Sequence, residues 1–223
     1  MFTRNNAHAQ VVKNTFIKAG ASEAGSWDFT DLEPHFDDIF STLYNRFSSK
    51  EGYELFPDVT STLKGLSAQG VRMGIVSNTD ERLAKVIVSL ELDPYLDFVL
   101  LSAEFGEEKP SPRIFERAID IANERIVATN KVTNATVPLL TAAEALHVGD
   151  DETKDYQGAL SAGMNAVLIN RARLSYEESA PQFAAARGRN PDRPVVVHSL
   201  RELLDINVEG GKGRRREMIL PRA

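Results

Sequence analysis

Cysteine is absent from all 223 residues of this chain, which excludes disulfide bonds, thiolate metal ligands and a cysteine nucleophile. An apolar stretch long enough to span a bilayer is also lacking, and the first ten residues, MFTRNNAHAQ, contain no apolar signal-peptide core. These absences predict a cytoplasmic protein with no membrane partner. The hydrophobic fraction of 42% is that of an ordinary globular protein with one sizeable core.

A strong positive charge is lacking as well. The formal net charge is −6, and this balance does not suggest a nucleic-acid partner. The exception is local, because residues 208–223 form a basic tail that contains GKGRRR at Gly211–Arg216. The tail has two interpretations: a solvated, flexible end, or a segment for nuclear targeting or RNA contact. Composition gives no indication of the oligomeric state.

Helical and strand patterns alternate from about residue 55 onward. Five segments are apolar on both faces, as expected of buried parallel strands: VRMGIV, DFVLL, ALHV, NAVLIN and PVVVHS. Helical patterns separate them, so the sequence predicts an α/β fold with a doubly wound parallel sheet. Two polar-rich stretches, at about 123–140 and 171–194, interrupt the alternation and are interpreted as surface insertions.

Residues 1–54 show a different, strand-poor pattern. Within HFDDIFSTLYNRF, apolar side chains recur at three- and four-residue spacings, which predicts one face of an amphipathic helix. The residues on this face are Phe36, Ile39, Phe40, Leu43 and Phe47.

Polar residues follow the predicted strands at the sheet edge where open α/β folds bind ligands. After VRMGIV come Ser77, Asn78 and Thr79, whose hydroxyl and backbone N–H groups at a helix start can cradle an anion. The alternative is ordinary helix capping, since these residue types are also good N-caps. After DFVLL, Lys109 precedes Pro110, which favours an extended backbone and a lysine that points into the strand-end crevice. The alternative is a solvated Lys109.

The third strand, ALHV, is followed by Gly149 and by the carboxylates of Asp150, Asp151 and Asp155. Such a cluster is stable when a hard cation neutralises it, and Mg²⁺ is usually held by one or two carboxylates with waters and substrate phosphate. The alternative is that one aspartate caps the next helix while the others are solvated. His147, inside the strand, is predicted to pack or hydrogen-bond locally rather than to bind metal.

The order and spacing of these features resemble the haloacid dehalogenase (HAD) superfamily. The segments that carry the resemblance are EGYELFPDV, GIVSNTDER, EKPSPRIF and LHVGDDETKDYQGALSAGM, and they are similar to the HAD-like hydrolase domain-containing 3 branch. The resemblance covers roughly residues 10 to 205 outside the two insertions. It implies a Rossmann-like HAD core over residues 55–207 and a partial helical cap over residues 1–54.

The resemblance also implies roles for individual residues. Those that would bind the phosphate of a small phosphorylated substrate are Ser77, Asn78, Thr79 and Lys109. Lys109 would in addition be catalytic, because it would offset charge that builds on the phosphate and on a nucleophilic aspartate. Mg²⁺ would be held by Asp150, with Asp151 or Asp155 as a further ligand or as a partner of its water shell.

A DxDxT/V-like motif, which the resemblance leads us to expect after a first strand, is missing from this sequence. Its first aspartate would attack phosphorus and its second would act as general acid and base. The nearest acidic pairs do not fit, because Asp37 and Asp38 lie in a helical pattern while Asp28 and Asp31 have the wrong spacing. We therefore expect the central first strand to be missing and its two neighbouring strands to expose apolar edges.

Either a truncated product or a natural variant without the nucleophile explains this absence, and the retained lysine and aspartates favour truncation. Two functions stay open: a Mg²⁺-dependent, phosphatase-type hydrolase that is inactive as written, and a non-catalytic HAD-fold protein that binds or regulates. An in-frame upstream segment encoding a strand and DxxGT would favour the hydrolase. A third possibility, a metal-independent dehalogenase, is disfavoured by the acidic GDD sequence.

Overall fold

The protein is described by a computed structural model, which describes residues 3–22, 29–171 and 194–205. The chain divides into two compact units, Met1–Glu54 and Leu55–Ala223. Within the described residues, every helix is too short or too polar to traverse a bilayer. The predicted basic tail at 208–223 and most of the second predicted insertion, 172–193, lie outside the described residues.

The first unit is helical where it is described. Its helices are α1 (Thr3–Ser22), α2 (Phe29–Leu32) and α3 (Phe36–Arg46). Aromatic rings on α2 and α3 form a row, with ring centroids 5.6 Å apart for Phe29 and Phe36, 6.2 Å for Phe36 and Phe40, and 5.8 Å for Phe40 and Tyr44. The four-residue spacing explains the row, because residues i and i+4 share a helix face.

Among its described residues, the second unit contains five parallel strands in two ladders. Strand β1 (Gly74–Ser77) pairs with β2 (Phe98–Leu101), while β3 (Leu146–Gly149) pairs with β4 (Asn165–Ile169), and β4 pairs with β5 (Val196–Val197). These pairings confirm the predicted parallel α/β fold. The ladders β1-β2 and β3-β4-β5 are separate among the described residues, which agrees with the predicted gap between β1 and β3.

Helices connect the strands and cover both faces of the ladders. They are α4 (Val59–Ala68), α5 (Arg82–Ser89), α6 (Ser102–Phe105), α7 (Pro112–Thr133) and α8 (Gly158–Ser161). A wide helical turn over Glu152–Gln157 leads into α8, and a 3₁₀ segment over Leu200–Asp205 follows β5. This order of strand and helix is the doubly wound arrangement that the sequence predicted.

Both ladders contribute to the same two apolar cores. Ile75 of β1 and Val148 of β3 belong to one core, whereas Val76 and the residue before β3, Ala145, belong to the other. Alternation along a strand explains this division, because successive side chains point to opposite faces. All residues of β1 and β3 are buried, so their apolar side chains are not exposed to solvent, although among the described residues β1 pairs only with β2 and β3 only with β4. The helices on the two faces cover these strands.

Helix α7 extends into residues 123–140, the first predicted insertion. The helix continues through Thr133, and Ile126 within it is fully buried. This continuation was not predicted because the exposed face of the helix is polar. The buried residues Ala118, Ala122 and Ile126 nevertheless keep a four-residue spacing. After the helix ends, the side chain of Asn123 holds the following segment by accepting from Leu140 N at 2.7 Å and donating to Leu140 O at 3.0 Å.

Candidate functional site

A buried ion pair joins two segments that are far apart in sequence. Lys109 lies in the loop between α6 and α7, and Asp155 lies in the helical turn after β3. The Nζ atom of Lys109 is 2.6 Å from Oδ1 of Asp155, and their side chains are 4% and 3% exposed. The structure therefore places Lys109 inside the protein at the carboxyl end of β3 rather than in solvent. Its ammonium group is neutralised there by the Asp155 carboxylate.

Asn78, just after β1, holds the backbone of Lys109. Its side-chain amide accepts from Lys109 N at 2.8 Å and donates to Lys109 O at 2.9 Å. An asparagine side chain carries both a donor and an acceptor, so it can pair with both backbone groups of one residue. Through this contact the end of β1 fixes the loop that carries the lysine. Asn78 thus lies at the predicted site, and its side chain bonds to the chain itself.

The hydroxyl groups next to Asn78 lie at the same strand end. Ser77 is the last residue of β1 and is 1% exposed, whereas Thr79 is exposed to solvent. Thr79 Oγ1 donates to Ser77 Oγ at 3.1 Å. The helix-capping alternative applies to neither hydroxyl, since Asp80 makes the contact at the start of α5, where its Oδ1 accepts from Arg82 N. The two hydroxyls remain candidates for contact with an anion.

His147 of β3 is the third member of the buried polar cluster. Its Nε2 atom is 2.9 Å from Asp155 Oδ1, the same oxygen that contacts Lys109. Burial lowers the pKa of His147 to about 4, and Asp155 opposes this shift only in part. For Asp155, burial raises the pKa, but the hydrogen bond from His147 and the charge of Lys109 outweigh burial and hold the pKa well below its usual range. At neutral pH the cluster is a lysine cation, an aspartate anion and a neutral histidine.

The three predicted metal-binding aspartates have different environments. Asp155 is bound by Lys109, His147 and the backbone N–H of Asp151. Asp151 caps the following turn, because its Oδ1 accepts from the backbone N–H groups of Thr153 and Lys154. Asp150 is exposed.

Within residues 3–22, 29–171 and 194–205, no group of three or more His, Asp or Glu side chains is arranged to hold a metal ion. The three aspartates therefore do not form one three-carboxylate ligand set in the described chain, and the pairing of Asp150 with Asp151 or Asp155 stays a prediction. Because Mg²⁺ needs only one or two protein carboxylates beside water and phosphate, the exposed Asp150 is chemically suited to be one ligand. The oxygens of Asp155 already contact Lys109, His147 and Asp151 N, so its predicted place beside the metal or its water shell stays a prediction.

Two glycines make room for the buried cluster. A Cβ atom on Gly149 would overlap the carboxylate of Asp155, and a Cβ on Gly158 would lie 2.9 Å from the Phe115 ring and 3.0 Å from Cα of Pro110. Gly149 thus lets Asp155 fold back against the end of β3. Gly158 lets the loop after Lys109 pack against α8.

Sequence reasoning missed the contact between His147 and Asp155 and the close approach at Gly149. A polar residue within a strand that is otherwise apolar on both faces was the available signal for the first. Its local hydrogen bond agrees with the prediction that His147 does not bind metal.

Comparison with known proteins identifies a family for this chain. A family model described as haloacid dehalogenase-like hydrolase matches residues 3–163. The mouse protein named "Haloacid dehalogenase-like hydrolase domain-containing protein 3" is 34% identical over 194 residues, which are 87% of this chain and 64% of that protein. Its human counterpart is 32% identical over 159 residues, 71% of this chain and 53% of that protein. The chain thus spans about half to two thirds of the length of these curated relatives.

Solved structures are similar in fold. A HAD phosphatase from Thermococcus onnurineus has a TM-score of 0.53 and 24% identity, covering 82% of this chain and 72% of its own. The HAD-hydrolase YfnB from Bacillus subtilis, solved with bound magnesium, has a TM-score of 0.53 and 18% identity, covering 92% of this chain and 73% of its own. At these identities the likeness shows the fold alone.

Proposed function

The chain belongs to the haloacid dehalogenase-like hydrolase family, and from this premise we propose that it carries the phosphoryl-binding part of a phosphatase-type site for a small phosphorylated molecule. The observation that carries the proposal is the buried Lys109–Asp155 pair, in which the backbone of Lys109 is held by Asn78 just after β1. A fixed ammonium group at such an edge stabilises negative charge better than a solvated lysine, because surrounding protein lowers the local dielectric constant.

The phosphoryl group would contact three donor groups of two kinds. Ser77 and Thr79 supply hydroxyl groups at the end of β1, and Lys109 supplies positive charge. Asn78 acts indirectly, since its side chain is used to hold the backbone of Lys109. This division makes Asn78 a positioning residue rather than a direct phosphate ligand, which refines the role that the sequence implied.

Mg²⁺ is part of the proposal, with Asp150 as the carboxylate that would hold it. Asp151 would keep the turn after Asp150 in place through its two backbone contacts. When bound, the cation would neutralise charge on the phosphate oxygens. The magnesium-bound YfnB structure, which shares the fold, supports this choice of metal.

Turnover is a separate matter, because the sequence contains no DxDxT/V-like motif. Without a nucleophilic aspartate the covalent step has no attacking group, and without the second aspartate the leaving group lacks its proton donor, where general acid catalysis contributes roughly 10²–10⁴-fold. We expect the 223-residue chain to hydrolyse no phosphate ester at an enzymatic rate. The missing motif also supports the second candidate, a non-catalytic protein that binds a phosphorylated ligand.

Binding of inorganic phosphate, measured by calorimetry with and without Mg²⁺, tests the site in the chain as it exists. We expect binding in the wild type and its loss in Lys109→Met. Lys64→Met, at an exposed position on α4, is the matched control and should bind as the wild type does. Equal binding by Lys109→Met and Lys64→Met would refute the assignment of Lys109.

Hydrolysis of an aryl phosphate separates the two candidate functions. The wild-type chain should show no turnover above the variant Asp150→Asn. A longer protein in which a strand carrying two aspartates precedes this chain should recover Mg²⁺-dependent turnover, and Asp150→Asn should abolish it there. Turnover by the chain alone that disappears in Asp150→Asn would show that another residue, with Asp28 and Asp37 as the first to test, supplies the nucleophile.

A further inference from the structure

His147 is a polar side chain placed where an apolar one would be expected. It lies in the middle of β3, is 0% exposed, and its neighbours in the strand are the apolar Leu146 and Val148. A buried polar group costs free energy unless it makes a hydrogen bond. The bond it makes is to Oδ1 of Asp155, at 2.9 Å. That oxygen also receives Lys109 Nζ at 2.6 Å, so one carboxylate oxygen accepts from two residues.

The protonation state of His147 follows from its two ring nitrogens. Nε2 faces an ionised carboxylate, which can only accept, so Nε2 must carry the hydrogen. Nδ1 is buried and has no hydrogen-bond partner. In a neutral ring Nδ1 is a bare acceptor, whereas an imidazolium would bury a second N–H without an acceptor. The geometry therefore favours the neutral tautomer with hydrogen on Nε2.

A neutral donor suits this pair of charges. Lys109 and Asp155 together carry no net charge, and a second cation beside the carboxylate would compete with the lysine for it. The N–H of His147 supplies a hydrogen bond and adds no charge. Asp155 Oδ2 accepts in turn from Asp151 N at 3.1 Å, so both carboxylate oxygens are held.

The orientation of the His147 ring is fixed by packing. The Phe115 ring meets it edge to face, with centroids 4.8 Å apart and planes at 83°. On the other side of the carboxylate, Gly149 has no Cβ and leaves the space that Asp155 occupies. The aspartate is thus confined between a glycine, a lysine and a histidine whose ring is itself confined.

We propose that His147 is a positioning residue of the phosphoryl-binding site: it holds the Asp155 carboxylate in the orientation that fixes the ammonium group of Lys109 at the carboxyl end of β3. The inference rests on the proposed function for its consequence in phosphate binding, but the contact itself can be tested separately. His147 acts through Asp155 and Lys109 and does not touch the ligand.

Three variants test the proposal in the full chain. His147→Phe keeps a ring of similar size and removes the donor, whereas His147→Gln can place an amide N–H near the position of Nε2. Thr62→Val is the matched control, because Thr62 is also fully buried in this unit and its hydroxyl has no hydrogen-bond partner. Folding of each variant is checked by circular dichroism, and its stability by urea unfolding.

The first measurement is independent of phosphate. In labelled protein, NMR signals of the Asp155 carboxyl carbon and the Lys109 ammonium nitrogen are assigned by comparison with Asp155→Asn and Lys109→Met. Both signals should shift in His147→Phe, return toward the wild-type positions in His147→Gln, and stay unchanged in Thr62→Val. Unchanged signals in a folded His147→Phe variant would overturn the proposal. If His147→Phe does not fold, the same signals are measured in His147→Gln. The proposal requires these signals to stay near their wild-type positions, and a large shift would overturn it.

The second measurement is the dissociation constant for inorganic phosphate. Loss of a hydrogen bond to a charged group should weaken binding about tenfold in His147→Phe. His147→Gln should recover most of this loss, and Thr62→Val should show none. If all three variants bind phosphate as the wild type does, His147 has no role in the site. If the wild type itself binds no phosphate, the proposed function fails, and the NMR signals still decide whether His147 positions Asp155.

Discussion

Lys109 and Asp155 are separated by 46 residues, yet Nζ of the first lies 2.6 Å from Oδ1 of the second in the interior of the protein. Lys109→Met should leave the buried Asp155 carboxylate without its counter-charge and lower the free energy of unfolding by about 3–5 kcal/mol. Adding Asp155→Asn should recover part of this loss, because the remaining amide is neutral. Urea unfolding of the single and double variants measures both effects.

Lys64→Met is the control for this first prediction, since Lys64 is exposed. Its free energy of unfolding should stay within about 0.5 kcal/mol of the wild type. A double variant that is less stable than Lys109→Met alone would contradict the account given for the pair.

Gly149→Ala should damage the same cluster by steric means. The added Cβ would overlap the Asp155 carboxylate, so the aspartate must move away from Lys109, and overpacking of this kind costs about 1–3 kcal/mol. The control is Gly65→Ala on α4, where the new Cβ would meet the end of the Leu204 side chain, which can rotate. Thermal and urea unfolding should show that Gly149→Ala is clearly less stable than Gly65→Ala. The reverse order of stability would contradict the prediction.

The acid sensitivity of the protein should include a contribution from His147. Its pKa in the folded state is lowered to about 4, whereas an unfolded histidine titrates near 6.5. Between these values the unfolded chain binds a proton that the folded chain does not, so stability falls as pH falls, by about 3 kcal/mol over the whole interval.

Asp155 contributes at lower pH and with the usual sign for a carboxylate. Its pKa is depressed by the hydrogen bond from His147 and by Lys109, which outweigh burial, so its stabilisation is present above about pH 4 and is lost as pH falls further. Urea unfolding of the wild type and of His147→Phe at pH 4 to 7 separates the two groups. Identical pH dependence in this range would show that His147 does not titrate as described.

Asn78→Ala should loosen the loop that carries Lys109. Two hydrogen bonds between the Asn78 side chain and the Lys109 backbone would be lost, at a cost of about 1–3 kcal/mol. Asn123→Ala is a close control, because Asn123 makes the same pair of contacts with the backbone of Leu140. Both variants should lose similar stability, but only Asn78→Ala should weaken phosphate binding. Equal phosphate binding in the two variants would contradict a positioning role for Asn78.

The parallel strands could be predicted because strands buried on both faces are largely apolar, as Phe98–Leu101 is throughout and Gly74–Ser77 is up to its last residue. The meeting of Lys109 and Asp155 followed from the same reasoning, since the carboxyl ends of parallel strands share one edge. The length of α7 was missed because polar residues on its exposed face masked the buried spacing that ends at Ile126.

The partners of the aspartates could not be predicted from sequence. The sequence does not distinguish Asp150, Asp151 and Asp155, because all three are aspartates. Only the path of the chain after β3 decides which of them has a buried side chain. Asp155 lies in a wide helical turn, Glu152–Gln157, whose geometry places it beneath Gly149 and opposite Lys109. The residue pattern does not predict the backbone conformation of that turn.

The candidate site residues differ in solvent exposure, so the site has a buried part and an exposed part. Ser77, Lys109 and Asp155 are buried, while Thr79 and Asp150 face solvent. A change at Thr79 would alter what a ligand meets without disturbing the packed charge pair behind it. Ligand preference can therefore change by substitution at the exposed surface of the site, while the buried contacts that hold Lys109 stay the same.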